Sequence, residues 1–291
     1  MTDFQIFSKN KIAVVGMGYI GSILFNVLKQ KSKQHNFTII SYSRKNICDI
    51  KDEEFDYIFN CAGNTGDFRQ KIFETIESNI FLTRFLLENV KINKAYVALS
   101  STRLYGFSIN EDCLFEENEV PFDLKKHLDI DFIYDGSKKL LESLLWNIKD
   151  QLPYKIIVCR LSNLFGRFEK SDLDDSTFLK LMIRHKIEHK NLAINQNINN
   201  TKGYVFIDDA IDGIIKSAIN SIGHNIYNIC SGQSYSIMDW INYLGIQFHV
   251  TNINATPTYS KNDISKAQKE LGFAPKHFLQ NIKLSDIINI N

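Results

Sequence analysis

The chain has 291 residues, 44% apolar composition and a formal net charge of +1, which is enough for one large α/β domain or two lobes. This charge argues against a nucleic-acid partner. The N-terminal segment lacks the apolar core of a signal peptide, and no run reaches the roughly 18 apolar residues of a membrane span, so we expect a cytoplasmic protein without a membrane partner. Five widely spaced cysteines without a Cys-x-x-Cys pair predict reduced, mostly buried thiols.

Strand and helix signals alternate through residues 1–165. The predicted strands are Lys11–Val15, Phe37–Ser41, Asp56–Asn60, Ala95–Leu99 and Lys155–Cys159, and the predicted helices are Ile20–Gln30, Ile76–Asn89 and a segment around Tyr134. Such alternation predicts βαβ units and a mostly parallel sheet with helices on both faces. We therefore expect a Rossmann-like, doubly wound α/β fold.

The amino-acid composition changes after Gly166, where the chain becomes polar and rich in asparagine. The elements predicted here are a helix at Thr177–Glu188, a loop at Asn195–Asn200, a strand at Asn225–Ile229 and a helix at Ile264–Leu271. We predict a dinucleotide-binding domain over residues 1–165 and a smaller mixed α/β substrate lobe over 166–291, with about 203–230 returning to the first domain. The lobe should pack at the carboxyl ends of the sheet, where ligands bind in such folds.

A glycine-rich turn, Gly-Met-Gly-Tyr-Ile-Gly, joins the first predicted strand to the first helix. Gly16 permits the tight turn, Gly18 lets a pyrophosphate approach the backbone, and Gly21 allows close packing of the helix. The helix N-terminus adds amides and positive potential. We expect Gly16, Gly18, Tyr19, Ile20 and Gly21 to bind a dinucleotide; the alternative is a structural turn without a ligand.

The end of the second predicted strand indicates which dinucleotide binds. NAD enzymes usually carry an acidic residue there for the ribose diol, but this chain reads Ser-Tyr-Ser-Arg-Lys over residues 41–45. Ser43 and Arg44 suit a 2′-phosphate through charge-assisted hydrogen bonds. We therefore favour NADP and keep NAD as possible, the alternative being that Arg44 and Lys45 are solvated loop charges.

Tyr134 and Lys138 are four residues apart on a predicted helix, so their side chains share one face. A positive charge beside a tyrosine favours the phenolate and lowers its pKa, which makes Tyr134 a candidate proton donor and acceptor. In a chain rich in lysine and tyrosine the same spacing also describes a solvated helix face.

Further motifs follow in a consistent order. They are Asn60–Gly63 after a strand, Ser78–Ile80 in a helix, Leu99–Gly106 with the pattern Ser-Ser-x-x-x-Tyr-Gly, Arg160–Gly166, Lys202–Asp209, Tyr227–Gly232 and Asp263–Pro275. With the Tyr-x-x-x-Lys pair, these segments resemble the extended short-chain dehydrogenase/reductase family, in particular its nucleotide-sugar epimerases, dehydratases and reductases. The resemblance covers roughly Lys11 to Lys283.

The resemblance implies roles for particular residues. The implied catalytic residues are Ser101, Tyr134 and Lys138. The implied additional cofactor contacts are Asn60, Ala62, Gly63, Tyr134 and Lys138. The implied substrate contacts are Ser101, Thr102, Arg103, Asn163 and Lys202. No metal is implied, and the seven histidines, which lack metal spacing, are expected at the surface or in loops. Relatives commonly form homodimers, here expected through helices 76–89 and 137–149. Trp146 and Trp240 are expected in the core.

Three departures from the family pattern limit the transfer. Val15 stands where the family usually has its first glycine, and Lys202 replaces an arginine that often contacts the diphosphate. Thr102-Arg103 stands where the 4,6-dehydratases carry Asp-Glu, which disfavours elimination of water.

We therefore expect an NADP-dependent reductase of a nucleoside-diphosphate-linked keto sugar of the 4-keto-6-deoxy type, working in carbohydrate biosynthesis. Hydride would come from NADPH and a proton from Tyr134. A nucleotide-sugar epimerase using NAD(P) would share the same residues. A non-catalytic NADP-sensing module is the alternative from another class.

Overall fold

The computed structural model describes residues 2–64, 68–117, 125, 127, 131–174, 177–252 and 254–289. The strands are β1 Lys11–Val15, β2 Thr38–Tyr42, β3 Glu54–Asn60, β4 Lys91–Ser101, β5 Lys155–Leu161, β6 Asn163–Phe165, β7 Leu192–Ile194, β8 Thr201–Phe206, β9 Asn225–Ile229, β10 Ser234–Ser236 and β11 Phe248–Val250. The helices are α1 Tyr19–His35, α2 Ile72–Ile76, α3 Leu82–Asn89, α4 Phe132–Ile148, α5 Phe178–Ile187, α6 Ile207–Asn220, α7 Ile237–Leu244, α8 Ser265–Leu271 and α9 Leu284–Ile287. A π-helical turn at Glu77–Phe81 joins α2 to α3.

A six-stranded sheet forms the centre of the molecule, in the order β2-β1-β3-β4-β5-β9. All its neighbouring strands run parallel. Parallel strands need crossover connections, and the segments between them carry the helices that supply these crossovers. The predicted doubly wound α/β fold is therefore confirmed, with all six carboxyl ends at one edge.

Each face of this sheet has its own apolar core, because side chains alternate along a strand. In β4, Val97 belongs to one core and Tyr96 to the other. The first core also contains Leu24 of α1 and Ile214 of α6, whereas the second contains Leu141 of α4. Burying each such aliphatic side chain stabilises the fold by roughly 1.5–3 kcal/mol.

Two smaller sheets lie beyond the carboxyl end of β5. One has the order β10-β8-β6 and the other pairs β11 with β7. Trp240 is fully buried in this region, as expected, with the rings of Phe165 and Tyr204 packed against it edge-on. Because β6 begins two residues after β5 ends, this region lies over the edge where ligands bind.

Several local expectations were wrong. Trp146 is 38% exposed rather than in the core, because the buried face of α4 runs through Leu141 and Leu145 and the next residue turns about 100° away. His127 is buried rather than at the surface, with its Nδ1 2.9 Å from Asp135 Oδ2.

The cysteines are free thiols, but only Cys159 and Cys230 are buried, and Cys48 is exposed. The predicted helix at 76–89 begins earlier, at Ile72, and is interrupted by the π turn. Among the described residues, no helix combines the length and apolar character required to span a bilayer.

Candidate active site

The glycine turn between β1 and α1 is built by close backbone contacts. Gly16 has φ +89°, and a Cβ on it would lie 2.5 Å from the backbone of Ala62, which follows β3. A Cβ on Gly21 would lie 1.9 Å from the carbonyl oxygen of Gly16. A Cβ on Gly18 would meet no protein atom within 4 Å. The turn is therefore closed towards the protein and open at Gly18, where a phosphate group needs access to the backbone.

The first helical residues point in different directions. Gly18 is the N-cap of the 17-residue α1 and provides no capping side chain, which leaves the helix N-terminus accessible to an anion. The Tyr19 hydroxyl donates a hydrogen bond to the Gly166 carbonyl, and its ring lies 5.3 Å from that of Phe168. Ile20 packs against the core. Tyr19 thus joins the helix to the smaller lobe at the mouth of the turn.

The carboxyl end of β2 lies beside the glycine turn, since the Gly16 amide donates to the Tyr42 carbonyl at 2.8 Å. The next residues form a tight loop in which the Ser43 amide and hydroxyl both donate to Asn46 Oδ1, at 2.8 and 3.0 Å. Arg44 and Lys45 are exposed at its tip. Residues 43–46, which follow β2, therefore carry two cations and no acidic side chain, and Asn46, which sequence reasoning missed, shapes this loop.

Ser101, Tyr134 and Lys138 converge in a buried position. Ser101 ends β4, while Tyr134 and Lys138 lie in the first turns of α4. Ser101 Oγ accepts the Arg103 amide at 3.2 Å, and the Ser101 hydroxyl acts to lower the pKa of Tyr134. Lys138 Nζ donates to the Leu99 carbonyl at 2.9 Å and lies 5.9 Å from the Tyr134 ring centroid. The structure thus brings the three predicted catalytic side chains together.

The electrostatics of this group differ from the expectation. Burial raises the pKa of Tyr134, and the opposing influences are first the charge of Arg103 and then the Ser101 hydrogen bond. Burial also lowers the pKa of Lys138 to about 8, against the attraction of Glu142. The expected lowering of the Tyr134 pKa by Lys138 is therefore not observed; the charge that favours the phenolate here is that of Arg103.

Gly63, Asn79 and Lys138 form a small cradle beside the catalytic group. A Cβ on Gly63 would lie 3.4 Å from both Lys138 Nζ and Asn79 Oδ1. Asn79, in the π turn, donates from Nδ2 to Ser137 Oγ at 2.8 Å, while its buried Oδ1 has no hydrogen-bond partner among the described residues. Buried polar atoms are normally paired, so this oxygen is available to a ligand or water in the cleft. Together with the open Gly18, the cradle fits a dinucleotide.

Asn60 contacts protein rather than the cleft. Its Nδ2 donates to the Tyr96 hydroxyl at 2.8 Å, and its Oδ1 accepts the Ala62 amide at 3.2 Å. The side chain shapes the loop after β3 and holds Ala62 against Gly16. Asn60 would therefore influence a bound cofactor only by shaping this loop.

The predicted substrate residues lie on both sides of the cleft. Thr102 and Arg103 belong to the 3-10 turn after β4. Asn163 Nδ2 donates to the Gly203 carbonyl at 2.9 Å. Lys202 extends from β8, and the charges of Arg103 and Asp131 act on it. The smaller lobe therefore places a cation opposite the Ser101 end of β4.

A cluster around Tyr134 escaped the sequence analysis. Its members are Phe68, Arg69, His127, Asp131 and Asp135, which pack or pair with one another and with Arg103. They come from separate segments without periodic spacing, and only Asp135, beside Tyr134, could have been suspected. In the part of the chain that the structure describes, no group of three or more His, Cys, Asp or Glu side chains could hold a metal ion.

A second buried network supports the end of β4. Arg160 donates from Nε and Nη2 to the two carboxylate oxygens of Glu142, at 2.9 and 2.7 Å, and Ser100 Oγ donates to Glu142 Oε1 at 2.6 Å. The Tyr105 hydroxyl joins Arg160 to Asn228. This network fixes the residue before Ser101.

Known proteins share this sequence pattern and fold. Residues 12–230 match the model of the NAD dependent epimerase/dehydratase family. The chain is 24% identical over 289 residues to UDP-glucuronic acid decarboxylase 3 of Arabidopsis thaliana, covering 90% of this chain and 83% of that protein. It is 25% identical over 214 residues to dTDP-4-dehydro-6-deoxyglucose reductase of Escherichia coli, covering 69% and 62%. RMD from Pseudomonas aeruginosa complexed with NADPH has a TM-score of 0.71 at 17% identity, covering 94% and 95%.

Proposed function

Because the chain belongs to the NAD dependent epimerase/dehydratase family, and is therefore an NAD(P)-dependent enzyme of the short-chain dehydrogenase/reductase type, we propose that it reduces a nucleoside-diphosphate-linked keto sugar of the 4-keto-6-deoxy type with NADPH. The observation that carries this proposal is the buried convergence of Ser101, Tyr134 and Lys138, together with two cations and no acidic residue in the loop at residues 43–46. The Escherichia coli relative is a reductase by name.

The proposed cofactor site runs along the carboxyl edge of the sheet. The glycine turn from Gly16 to Gly21 would hold the pyrophosphate, Gly63 and Lys138 would face the nicotinamide ribose, and Arg44 with Ser43 would bind the 2′-phosphate. The reduced nicotinamide supplies the hydride when bound. Structural neighbours carry NADPH or NAD, so the choice of NADP over NAD rests on Ser43 and Arg44.

In the proposed mechanism, the protein positions one sugar oxygen and supplies its proton. Ser101 and Tyr134 hydrogen-bond the ketone oxygen, and Tyr134 gives its phenolic proton to that oxygen as the attached carbon is reduced. Lys138, fixed by the Leu99 carbonyl, holds the cofactor side of the site. Burial of all three side chains excludes competing water.

The substrate would enter from the smaller lobe. We propose that cofactor binding resides in residues 1–165 and substrate binding mostly in 166–291, with about 203–230 returning to the first domain. Asn163 and Lys202 would contact the diphosphate, and Thr102 and Arg103 would line the sugar. The Thr102-Arg103 pair offers no carboxylate to eliminate water, which supports reduction over 4,6-dehydration.

Net consumption of NADPH tests this proposal. The purified protein is incubated with NADPH and a dTDP- or UDP-linked 4-keto-6-deoxy sugar, and absorbance and sugar products are followed together. We expect one NADPH oxidised for each ketone reduced. Epimerisation without net NADPH loss would establish the epimerase instead, and no turnover with any keto sugar would favour the non-catalytic NADP-sensing module.

The helices on the second face of the sheet support a proposed homodimer. Phe73 is 86% exposed, and Phe81, Leu140 and Trp146 are also exposed on α2, the π turn and α4. Monomeric proteins seldom leave several large apolar side chains on neighbouring helices uncovered. Light scattering should give the mass of two chains, and replacing Phe73 with Asp should shift the protein towards one; a monomeric wild-type protein would contradict the assignment.

A further inference from the structure

Three side chains pack against one another at the reactive end of the proposed site. The rings of Phe68 and Tyr134 have centroids 4.9 Å apart. The Arg103 guanidinium carbon lies over both rings, 5.5 Å from the centroid of each. A guanidinium in this arrangement is attracted to the electron-rich faces of both rings. Arg103 therefore restricts the orientation of the Tyr134 ring.

Arg103 is itself held rigidly. Its Nε lies 2.8 Å from Asp135 Oδ1, and its Nη2 lies 2.8 Å from Asp131 Oδ2. Arg69 binds the other oxygen of Asp131 at 2.7 Å, and His127 Nδ1 lies 2.9 Å from the other oxygen of Asp135. Each carboxylate is thus anchored from its far side. A planar guanidinium gripped by two fixed carboxylates cannot swing away as a lysine could.

Lys138 is engaged elsewhere. Its ammonium donates to the Leu99 carbonyl at the end of β4 and lies farther from the Tyr134 ring than the Arg103 guanidinium does. Burial lowers the pKa of Lys138 to about 8, so part of the population loses its charge in mildly alkaline solution. Arginine keeps its charge throughout this range.

We propose that Arg103 is a positioning residue for Tyr134, holding the phenol ring against Phe68 and supplying the permanent positive charge opposite the phenolate that proton transfer leaves behind. This inference rests on the proposed role of Tyr134. In the reduction, the phenolic O–H bond breaks, a new O–H bond forms on the sugar oxygen, and hydride from NADPH adds to the carbon. The positive charge of Arg103, over the ring of Tyr134, then stabilises the negative charge left on the phenolate.

The charges around Tyr134 determine how far its titration shifts when Arg103 or a carboxylate that binds Arg103 is replaced. Among the residues that the structure describes, the charged, titratable or hydrogen-bonding groups near Tyr134 or near Arg103 include Arg69, Ser101, His127, Asp131, Asp135, Lys138, Glu142 and Lys202. Because Asp131 and Asp135 neutralise much of the Arg103 charge, removing either a cation or an anion should move the Tyr134 titration, in opposite directions.

The experiment follows Tyr134 ionisation directly. Alkaline titrations of tyrosinate absorbance are compared between each protein and the same protein carrying Tyr134→Phe, which isolates one of the 12 tyrosines. Arg103→Met should move the Tyr134 titration up by about one pH unit, and Arg103→Lys by less. Asp131→Asn should move it down. Arg84→Met, which removes an exposed arginine paired with Glu88, should cause no shift.

The opposite directions of the two shifts distinguish an electrostatic effect from a loosened structure, because loosening would shift the Tyr134 titration in the same direction in Arg103→Met and Asp131→Asn. Circular dichroism at each pH limits the comparison to folded protein. Equal titrations in Arg103→Met, Asp131→Asn and wild type would overturn the inference, and so would shifts of the same sign.

Enzyme kinetics give a second measurement. In the reductive direction Tyr134 must be protonated, so kcat/KM falls as pH rises through its pKa, and Arg103→Met should carry that falling limb to higher pH. Failure of the wild type to reduce any keto sugar would refute the proposed function, while the tyrosinate titration would still decide the role of Arg103. An unmoved limb in an active, folded variant would count against that role.

Discussion

The proposed cofactor side and the proposed catalytic side of the cleft are built in different ways. The cofactor side depends on backbone contacts where no side chain fits, such as Gly21 against the Gly16 carbonyl and Gly16 against Ala62. The catalytic side depends on paired charges, with Arg103 between Asp131 and Asp135. Steric contacts do not respond to pH or salt, whereas charge networks do. On the proposed function, one side would therefore determine which dinucleotide fits, and the other would determine the pH range in which Tyr134 can transfer its proton.

The largest expected effect concerns the catalytic side alone. Tyr134→Phe removes the proton donor while keeping the ring that packs against Phe68 and Arg103. Turnover should fall by about 10²–10⁴-fold, the usual contribution of a positioned acid or base. Calorimetric NADPH affinity should stay within about twofold, because the glycine turn is untouched. Unchanged turnover would refute the assignment of Tyr134.

The reverse result is expected from Gly18→Ala on the cofactor side. The new methyl group meets no protein atom within 4 Å, so the fold should be retained, but it occupies the approach of the pyrophosphate. NADPH affinity should drop by about 10²-fold, on the scale of about 2–3 kcal/mol.

Gly136→Ala in α4 is the matched control, since its methyl group is equally unobstructed. It should leave NADPH affinity unchanged and raise the free energy of unfolding by up to about 1 kcal/mol, because alanine favours a helix over glycine. Equal NADPH affinity for Gly18→Ala and Gly136→Ala would remove the glycine turn from the cofactor site.

Burial of Lys138 on the catalytic side affects the stability of the protein. Its pKa is lowered from 10.5 to about 8, so the unfolded chain binds more protons between these values, and this group makes the protein more stable as pH rises through that window. Lys138→Met should increase the free energy of unfolding at pH 7 by roughly 2 kcal/mol, after the lost bond to Leu99 is allowed for. Urea denaturation should show that the difference in free energy of unfolding between Lys138→Met and the wild type shrinks towards pH 10.5. A difference that stayed constant or grew would contradict this account of Lys138.

The smallest effect is expected at the exposed end of β2. Arg44→Ala should weaken NADPH binding by about tenfold and leave NADH binding unchanged, because one charge-assisted hydrogen bond to the 2′-phosphate is lost. The loss should shrink as salt screens the exposed charge. Lys9→Ala controls for net charge, because Lys9 lies at the opposite end of β2 from Arg44, where its amide donates to the Asn36 carbonyl. Equal losses for the two dinucleotides would mean that Arg44 does not read the 2′-phosphate.

The two sides also differ in what the sequence could predict. The glycine turn and the strand–helix alternation are local patterns, so the parallel sheet followed from them. The Tyr134 and Lys138 pair was recognised because helical spacing brings the two side chains to one face. Phe68, Arg69 and Asp131 could not be found, since their meeting depends on the packing of separate segments. The π turn that presents Asn79 to Ser137 was also invisible, because nothing in its residues distinguishes it from an ordinary helix.

The bond between Tyr19 and Gly166 has a mechanical consequence. Tyr19 is the first residue of the helix that follows the glycine turn, and Gly166 begins the proposed substrate lobe. Any hinge opening that widened the entrance would have to break this strap and slide Tyr19 off Phe168. On the proposed function, an opening that releases the dinucleotide would therefore also separate Tyr19 from Gly166 and Phe168, which would couple nucleotide exchange to movement between the two regions.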